Sequence, residues 1–420
     1  MAEQDQVFAK CAWRLLPFMM LLYVVGFIDR SNVGFAALTM NRDLGFSPPV
    51  FGFGAGIFFL GYLSFQIPAT VLLARTGARR VVFCIMVAWG LISAANAFVQ
   101  GAQSFYLLRF LLGVAEAGFT PCMIFYITLW FPPAWRGRVT ATFCGAIPLA
   151  GIISGPLSGL ILGMDGTLGL HGWQWLFLIQ GLPAVLLAFA VLKYLPDNPT
   201  HADWLSAAEK DAIAARLAGE VTLEDRGLWP TLRDPRLLLL GLAGFCSACA
   251  LYGVTLWLPQ IVQAMGFSNR ATGFVVALPY IFSIGAMIVW GRLSDASGER
   301  IRHAALTMVL AAAAFAGGSL TSNHMLVLLA LTLAMAGGLS GIGPFQSFLS
   351  SFSRGTAAAG GIALVNTIAT LGGFFGPVLI GLLKARTGNF AAGMAALALA
   401  QIVAALLVLA VGRATAAARP

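Results

Sequence analysis

The sequence predicts an all-α membrane protein with twelve transmembrane helices arranged as two six-helix halves. Three observations lead to this fold class. The 420 residues are 59% hydrophobic and only 10% charged, whereas soluble domains carry about 25% charged residues. Apolar runs long enough to cross a bilayer recur from end to end, and features of the first half return in the second. Lipid forces backbone polar groups to pair internally, which favours helices, and the short alternating segments of a membrane β-barrel are absent.

The helices are predicted from the apolar runs, taken in chain order. An even number of spans puts both termini on one side of the membrane. The polar start "MAEQDQVFAKCAWR" leads directly into an apolar run, so we expect a retained cytoplasmic tail rather than a cleavable signal peptide. The runs lie at about 15–37, 51–73, 81–100, 104–130, 139–163, 174–195, 236–262, 271–292, 302–320, 324–350, 357–383 and 390–412.

The basic residues are distributed unequally between the two sides. If both termini are cytoplasmic, the inner loops and helix ends hold 19 of the 25 Lys and Arg residues. The outer side holds Arg42, Arg270, Lys384 and Arg386. This asymmetry follows the positive-inside rule, so the net charge of +9 has a topological cause and no nucleic-acid partner is expected. We therefore expect a multi-pass protein of the inner cell membrane.

A polar stretch divides the chain into its predicted domains. Residues 1–195 form the amino-terminal six-helix half, 196–235 a cytoplasmic linker, and 236–420 the carboxy-terminal half. Within the linker, Ser206 and Glu209 have the spacing of a capping box. Apolar residues recur after them beside charged ones, which predicts an amphipathic helix on the inner membrane surface.

The two halves have the signs of an internal duplication. Gly77 in "RTGARR" and Gly298 in "ASGERI" are 221 residues apart. Gly151 in "GIISGPLSG" and Gly372 in "GGFFGPVLIG" show the same offset. Two independent features at one offset indicate a repeat. Parallel six-helix repeats place a substrate cavity between them, near the middle of the bilayer.

Four ionisable side chains fall well inside the predicted spans: Asp29 and Arg30 in the first, Arg109 and Glu116 in the fourth. A charge at the bilayer centre costs about 3 kcal/mol on insertion scales. Arg109 and Glu116 are two helical turns apart and share a face, whereas Asp29 and Arg30 point about 100° apart and should have different partners. The residues one repeat later carry no charge: Ala250, Leu251, Ala330 and Gly337.

The four charges can be interpreted as ion pairs that lock two helices together or as a transport site. The attraction within a buried ion pair rarely exceeds the cost of removing both charges from water, so we favour the transport site. Two arginines offer bidentate donors for a carboxylate, and Arg30 or Arg109 can be balanced by Asp29 or Glu116 when no substrate is bound. An incoming anion competes for the arginines, and an acid that loses its cation in a dry site takes up a proton. Anion and proton would then move together.

Three uncharged polar residues are further candidates for binding substrate: Tyr62, Asn366 and, less strongly indicated, Gln346. Each could instead bond to a neighbouring helix, a contact worth about 0.6 kcal/mol. Cys246 and Cys249 form a CxxC pair, but no second cysteine or histidine pair accompanies them. We interpret both as small apolar helix residues, and we expect no metal site and no cofactor besides the proton gradient.

Several stretches resemble known transporters. "GRLSDASGERIR" is similar to the loop signature of the major facilitator superfamily, whereas the first-half copy, "LARTGARR", lacks the usual acid. "FIDRSNVGFA", "LRFLLGVAEAGFTPCMIFYITLWFPPAWRGR" and "GIALVNTIATLGGFFGPVLIG" resemble the anion:cation symporter family. The resemblance covers essentially the whole chain and implies the major facilitator fold. It also implies import of organic anions, such as sugar acids, tartrate or aromatic acids, together with protons.

The resemblance also implies roles for particular residues. The substrate contacts would be Arg30, Arg109, Tyr62 and Asn366, and the proton-titrating acids Asp29 and Glu116. Gln346 stands where the family often has Trp, so the resemblance does not indicate a specific substrate for this chain.

We therefore predict a proton-coupled symporter that imports a small organic anion by alternating access. The alternative is a proton-coupled antiporter that exports drugs or metabolites, because "GIISGPLSGL" resembles the antiporter pattern GxxxGPxxGG except for Leu160. No nucleophile or metal spacing indicates an enzyme. A monomer is expected, since one chain already holds both halves of the pathway.

Overall fold

A computed structural model describes residues 2–218, 233–350 and 356–417, and it is built almost entirely of α-helices. In these ranges twelve helical spans are long and apolar enough to cross a membrane, one for each predicted run. This confirms the predicted fold class. The first six spans are α1 (Ala2–Asp43), α2 (Pro48–Thr76), α3 (Ala78–Ala95), α4 (Ala102–Glu116 and Phe119–Trp130), α5 (Pro133–Cys144 and Ala146–Ile161) and α6 (Gly172–Tyr194).

The second six spans repeat this arrangement with unbroken helices. Among the loops, Gly77 and Gly298 both have positive φ, 88° and 69°. A positive φ suits glycine, which has no Cβ to clash, so both loops use a glycine at this position, although ψ differs, 155° at Gly77 and −2° at Gly298. The spans are α7 (Pro235–Gln263), α8 (Asn269–Ser297), α9 (Arg300–Ser319), α10 (His324–Ser350), α11 (Thr356–Thr387) and α12 (Ala391–Ala417).

Each span runs from one end of the helix bundle to the other. We call the end with the start of α1 and the end of α12 the terminal face, and the end with the α1–α2 and α3–α4 loops the opposite face. Since the spans alternate in direction, the long linker after α6 lies at the terminal face.

The linker contains the predicted capped helix, Ala207–Ala218. The Ser206 backbone N–H donates to Glu209 Oε2 at 2.8 Å, and the Glu209 N–H donates to Ser206 Oγ at 3.3 Å, which confirms the capping box. Lys10 Nζ lies 2.8 Å from Glu209 Oε1, and this bond, with those to Ser206, holds the pKa of Glu209 below its usual value. The rest of the predicted linker, 219–232, lies outside the described residues, and the domain boundaries stay a prediction.

The two halves make their most extensive contacts through three helix pairs, α2 with α11, α5 with α8, and α1 with α7. Gly155 of α5 packs so closely on α8 that any side chain there would overlap the carbonyl oxygen of Gly273. Gly291 lies on the same side of α8, five turns further toward the terminal face, yet nothing lies within 4 Å of its Cβ position. The halves therefore pack closely near the opposite face, whereas this side of α8 has no close neighbour at Gly291 toward the terminal face.

Candidate functional site

The four membrane-embedded charges lie together where α1 meets α4. Asp29 and Arg109 are 0% exposed, Glu116 2% and Arg30 8%, so Arg30 is the most accessible of the four. Arg30 Nη2 and Nε both donate to Glu116 Oε1, at 2.5 and 3.1 Å. Glu116 ends the first segment of α4, which brings its carboxylate to the level of Arg30.

Asp29 points away from Arg30 and has different partners. Its Oδ1 accepts hydrogen bonds from the Ser93 hydroxyl of α3 and from Asn32 Nδ2, the latter at 2.9 Å. Asp29 is thus solvated by neutral donors, while Arg30 is paired with a carboxylate. The helical angle predicts this separation of two adjacent residues.

Arg109 is the group with unused hydrogen-bonding capacity. Its Nε, Nη1 and Nη2 are buried and have no partner among the described residues. Its Cζ lies 5.1 Å from the centre of the Phe58 ring, and Arg30 Cζ lies 5.4 Å from the centre of the same ring. An aromatic face attracts a guanidinium, so Phe58 supports both cations. The donors of Arg109 remain available for an anionic group.

Tyrosines from both halves surround Arg30. The ring centre of Tyr62 on α2 lies 5.2 Å from Arg30 Cζ. Tyr252 on α7 also lies near Arg30, and its ring centre lies 4.4 Å from that of Phe59. Sequence reasoning missed Tyr252. The 221-residue repeat offset could have found it, because Tyr252 corresponds to Ser31, directly after Arg30.

Asn366 and Gln346 are brought together in the second half but not with the four charges. Gln346 Nε2 donates to Asn366 Oδ1 at 3.2 Å, and both side chains are half-buried. Phe59 packs on Gly373 where α2 and α11 run antiparallel, and continuing this register places the amide pair about 10 Å nearer the terminal face than Phe59. No hydrogen bond or ion pair of the described residues joins the amides to the charges.

The cysteines of the CxxC pair lie inside α7. Cys246 and Cys249 are buried and free. The described part of the chain contains no group of three or more His, Cys, Asp or Glu residues that could hold a metal ion.

Comparison with known proteins gives a consistent result. The family model "Major Facilitator Superfamily" matches residues 19–377. The chain is 45% identical to a "Putative tartrate transporter" of Agrobacterium vitis, over 98% of this chain and 95% of that protein. It is 42% identical to a "Quinolone resistance transporter" of Acinetobacter baumannii, over 93% and 91% of the two chains. Its fold is similar to an inward-facing, occupied bacterial homologue of the human lysosomal transporter Spinster, with a TM-score of 0.78 at 15% identity over 95% and 96% of the chains.

Proposed function

The chain belongs to the Major Facilitator Superfamily and is a multi-pass membrane transporter, and we propose that it imports a small organic anion together with protons. One observation carries this proposal. The buried Arg30–Glu116 pair lies beside a second buried arginine, Arg109, whose donors are unpartnered. Two guanidiniums in a low-dielectric cavity form a site for a carboxylate rather than for a cation.

Anion binding and proton uptake are coupled through Glu116. A substrate carboxylate approaches Arg30, the most accessible of the four charges, and competes with Glu116 for its guanidinium. Glu116 is 2% exposed, so once it has lost Arg30 it has little water to stabilise its charge. A carboxylate in that position takes up a proton, and substrate and proton cross together.

Asp29 and Arg109 form the second half of this exchange. The two groups interact electrostatically without a direct ion pair, and Ser93 and Asn32 supply the only hydrogen bonds to Asp29 among the described residues. When Arg109 turns its free donors toward the substrate, Asp29 loses part of its balancing charge. Asp29 is therefore the second proton-coupling acid of the proposal.

The second half contacts the uncharged part of the substrate. Tyr252 lies beside Arg30 across the seam between the halves, and the Gln346–Asn366 amide pair lies nearer the terminal face. Hydroxyl and amide groups suit a polar hydroxy acid. The relative named as a tartrate transporter supports that class of substrate.

The packing of the two halves supports transport by alternating access. The contacts of α2 with α11 and of α5 with α8 close the opposite face, and we place the opening of the substrate cavity at the terminal face. Because the terminal face carries most of the basic residues, we assign it to the cytoplasm of the inner membrane. Transport requires the closed and open ends to exchange.

The test is uptake into proteoliposomes from a panel of tartrate, sugar acids and aromatic acids. Arg30→Ala is expected to abolish binding and uptake, and Asp29→Asn to abolish accumulation driven by an inward proton gradient. Arg14→Ala is the matched control, because Arg14 lies on α1 but is exposed. If both site variants transported like the control, the site would lie elsewhere.

An exporter is the second candidate, and the relative named for quinolone resistance favours it. A quinolone also carries a carboxylate, so the arginines do not separate the two functions. Direction does. Proton-driven accumulation of tartrate inside right-side-out vesicles supports the importer, whereas accumulation of a quinolone in inverted vesicles would support the exporter.

A further inference from the structure

A group of buried polar side chains extends from Asp29 into the first half, on the side of α3, α5 and α6. Each member of the group is buried. The charged groups that interact with Asp29 are Glu116 and Arg109, both from α4. We call the group the polar core, and it consists of Asp29, Asn32, Ser93, Asn96, Ser158 and Gln180.

The hydrogen bonds of the polar core leave several of its acceptor oxygens without a donor. Asn96 Nδ2 donates to the Ile92 carbonyl at 2.8 Å, and Gln180 Nε2 donates to Ser158 Oγ at 2.9 Å. Four buried oxygens have no partner among the described residues: Asp29 Oδ2, Asn32 Oδ1, Asn96 Oδ1 and Gln180 Oε1.

Four buried oxygens without partners in one polar core need hydrogen-bond donors from another source. A buried acceptor without a donor is costly and rare in native proteins. Bound water is the usual solution, since one molecule can donate to two oxygens and accept from a third group. A protonated Asp29 would supply a further donor through Oδ2.

The polar core reaches toward the opposite face by a short path. Ser93, which binds Asp29, is one turn from Asn96, and Asn96 begins the 3-10 turn that ends α3. Gln100, in the loop that follows, is exposed. The distance along α3 from Ser93 to this loop is about 10 Å. The substrate cavity instead opens at the terminal face.

The fold itself does not require these polar residues. In the second half, the positions one repeat later are mostly apolar although the helices pack equivalently. Only the glutamine recurs, and it is buried there as well. The residues corresponding to Asn32, Ser93, Asn96, Ser158 and Gln180 are Gly253, Ala314, Gly317, Leu379 and Gln401.

We propose that the polar core is a water-binding site through which the coupled proton reaches Asp29 from the opposite face, by a route that the substrate never occupies. The inference rests on the proposed function. A bound water gives a proton to Asp29 Oδ2 and regains one from the next water toward the opposite face. Each step moves one proton and leaves the water unchanged. Asn96 is the position through which the route must pass, because it lies between Ser93 and the exposed loop.

The experiment compares two modes of transport in proteoliposomes, using tartrate as the probe. Uptake driven by a proton gradient needs a proton to reach Asp29 in every cycle. Counterflow of labelled tartrate at equal acidic pH does not, because the loaded carrier exchanges substrate without releasing its protons. Asn96→Leu is expected to reduce proton-driven uptake tenfold or more and to leave counterflow within twofold. Gln401→Leu, which replaces a buried polar side chain of the second half, is the control and should leave both unchanged.

Asn96→Ser separates the route from a structural role, since it keeps an oxygen and leaves room for water. It should retain most of the proton-driven uptake that Asn96→Leu loses. The proposal is overturned if Asn96→Leu keeps proton-driven uptake, or if uptake and counterflow fall together in both Asn96 variants. A wild-type protein that takes up tartrate without regard to the proton gradient would overturn the proposed function, and the route with it.

Discussion

Replacing Glu116 by Gln should tighten substrate binding and weaken its dependence on pH. Glu116 is the acid that occupies Arg30, through two hydrogen bonds to one oxygen. The Gln side chain has nearly the same shape and no charge, so it competes poorly with an incoming carboxylate. The variant is expected to bind the anion more tightly than the wild type at alkaline pH, where Glu116 of the wild type is ionised and holds Arg30.

The magnitude follows from the bonds that the substrate must replace. Hydrogen bonds to a charged group are worth about 1.5–3 kcal/mol, and 1.4 kcal/mol is tenfold in affinity. At alkaline pH, with Glu116 ionised, removing this competitor should lower Kd by about 10- to 100-fold. As pH falls, the wild-type acid takes up its proton and releases Arg30, so the two proteins should converge.

Isothermal titration of purified protein with tartrate between pH 5.5 and 8.5 measures this directly. Each proton taken up with the substrate weakens binding about tenfold for each rise of one pH unit. The Kd should therefore rise more steeply with pH in the wild type than in Glu116→Gln, where only Asp29 still takes up a proton. The reasoning is refuted if the variant follows the same pH dependence as the wild type. It is also refuted if the variant binds more weakly at pH 8.5.

Three further changes test the packing around the site. Gly155→Leu should abolish transport but not binding, because the leucine side chain would overlap the carbonyl oxygen of Gly273 and keep the opposite face from closing. Uptake at the wild-type rate would contradict the alternating-access model. Tyr252→Phe removes one hydrogen-bond donor beside the substrate, and such a bond contributes about 0.5–1.5 kcal/mol to binding. The Kd measured by titration should therefore rise about threefold to tenfold. An unchanged Kd would show that Tyr252 is not part of the site. Ser206→Ala removes a helix cap that stabilises the helix by about 1 kcal/mol. Amide hydrogen exchange should accelerate in Ala207–Ala218, and substrate uptake should be unchanged. Unaltered hydrogen exchange would show that the cap does not stabilise this helix.

The spans were predictable because lipid leaves the chain few choices, but their ends were not. The first run was predicted at 15–37, and α1 extends over Ala2–Asp43. Polar residues beyond the bilayer continue the helix, since helical backbone bonds form in water as well as in lipid. The fourth run was predicted as one helix, yet α4 divides after Glu116. Apolar composition carries no signal for such a break.

The helical angle also predicted the separate partners of Asp29 and Arg30, but not who the partners are. Whether Arg30 or Arg109 binds Glu116 depends on how α1 and α4 pack, which spacing along one helix does not determine. Tyr252 and Gln180 were missed for another reason. A tyrosine or glutamine in an apolar run carries no charge, so its place beside a charged group becomes visible only when helices distant in sequence are brought together.

The central claim, that an organic anion and protons cross together, is tested most directly by the internal pH of proteoliposomes during tartrate uptake. With a pH-sensitive dye trapped inside and no imposed gradient, adding external tartrate to wild-type vesicles should acidify the lumen at the rate of tartrate uptake. Arg30→Ala vesicles should show neither change. Tartrate uptake by the wild type with a constant internal pH would contradict the account.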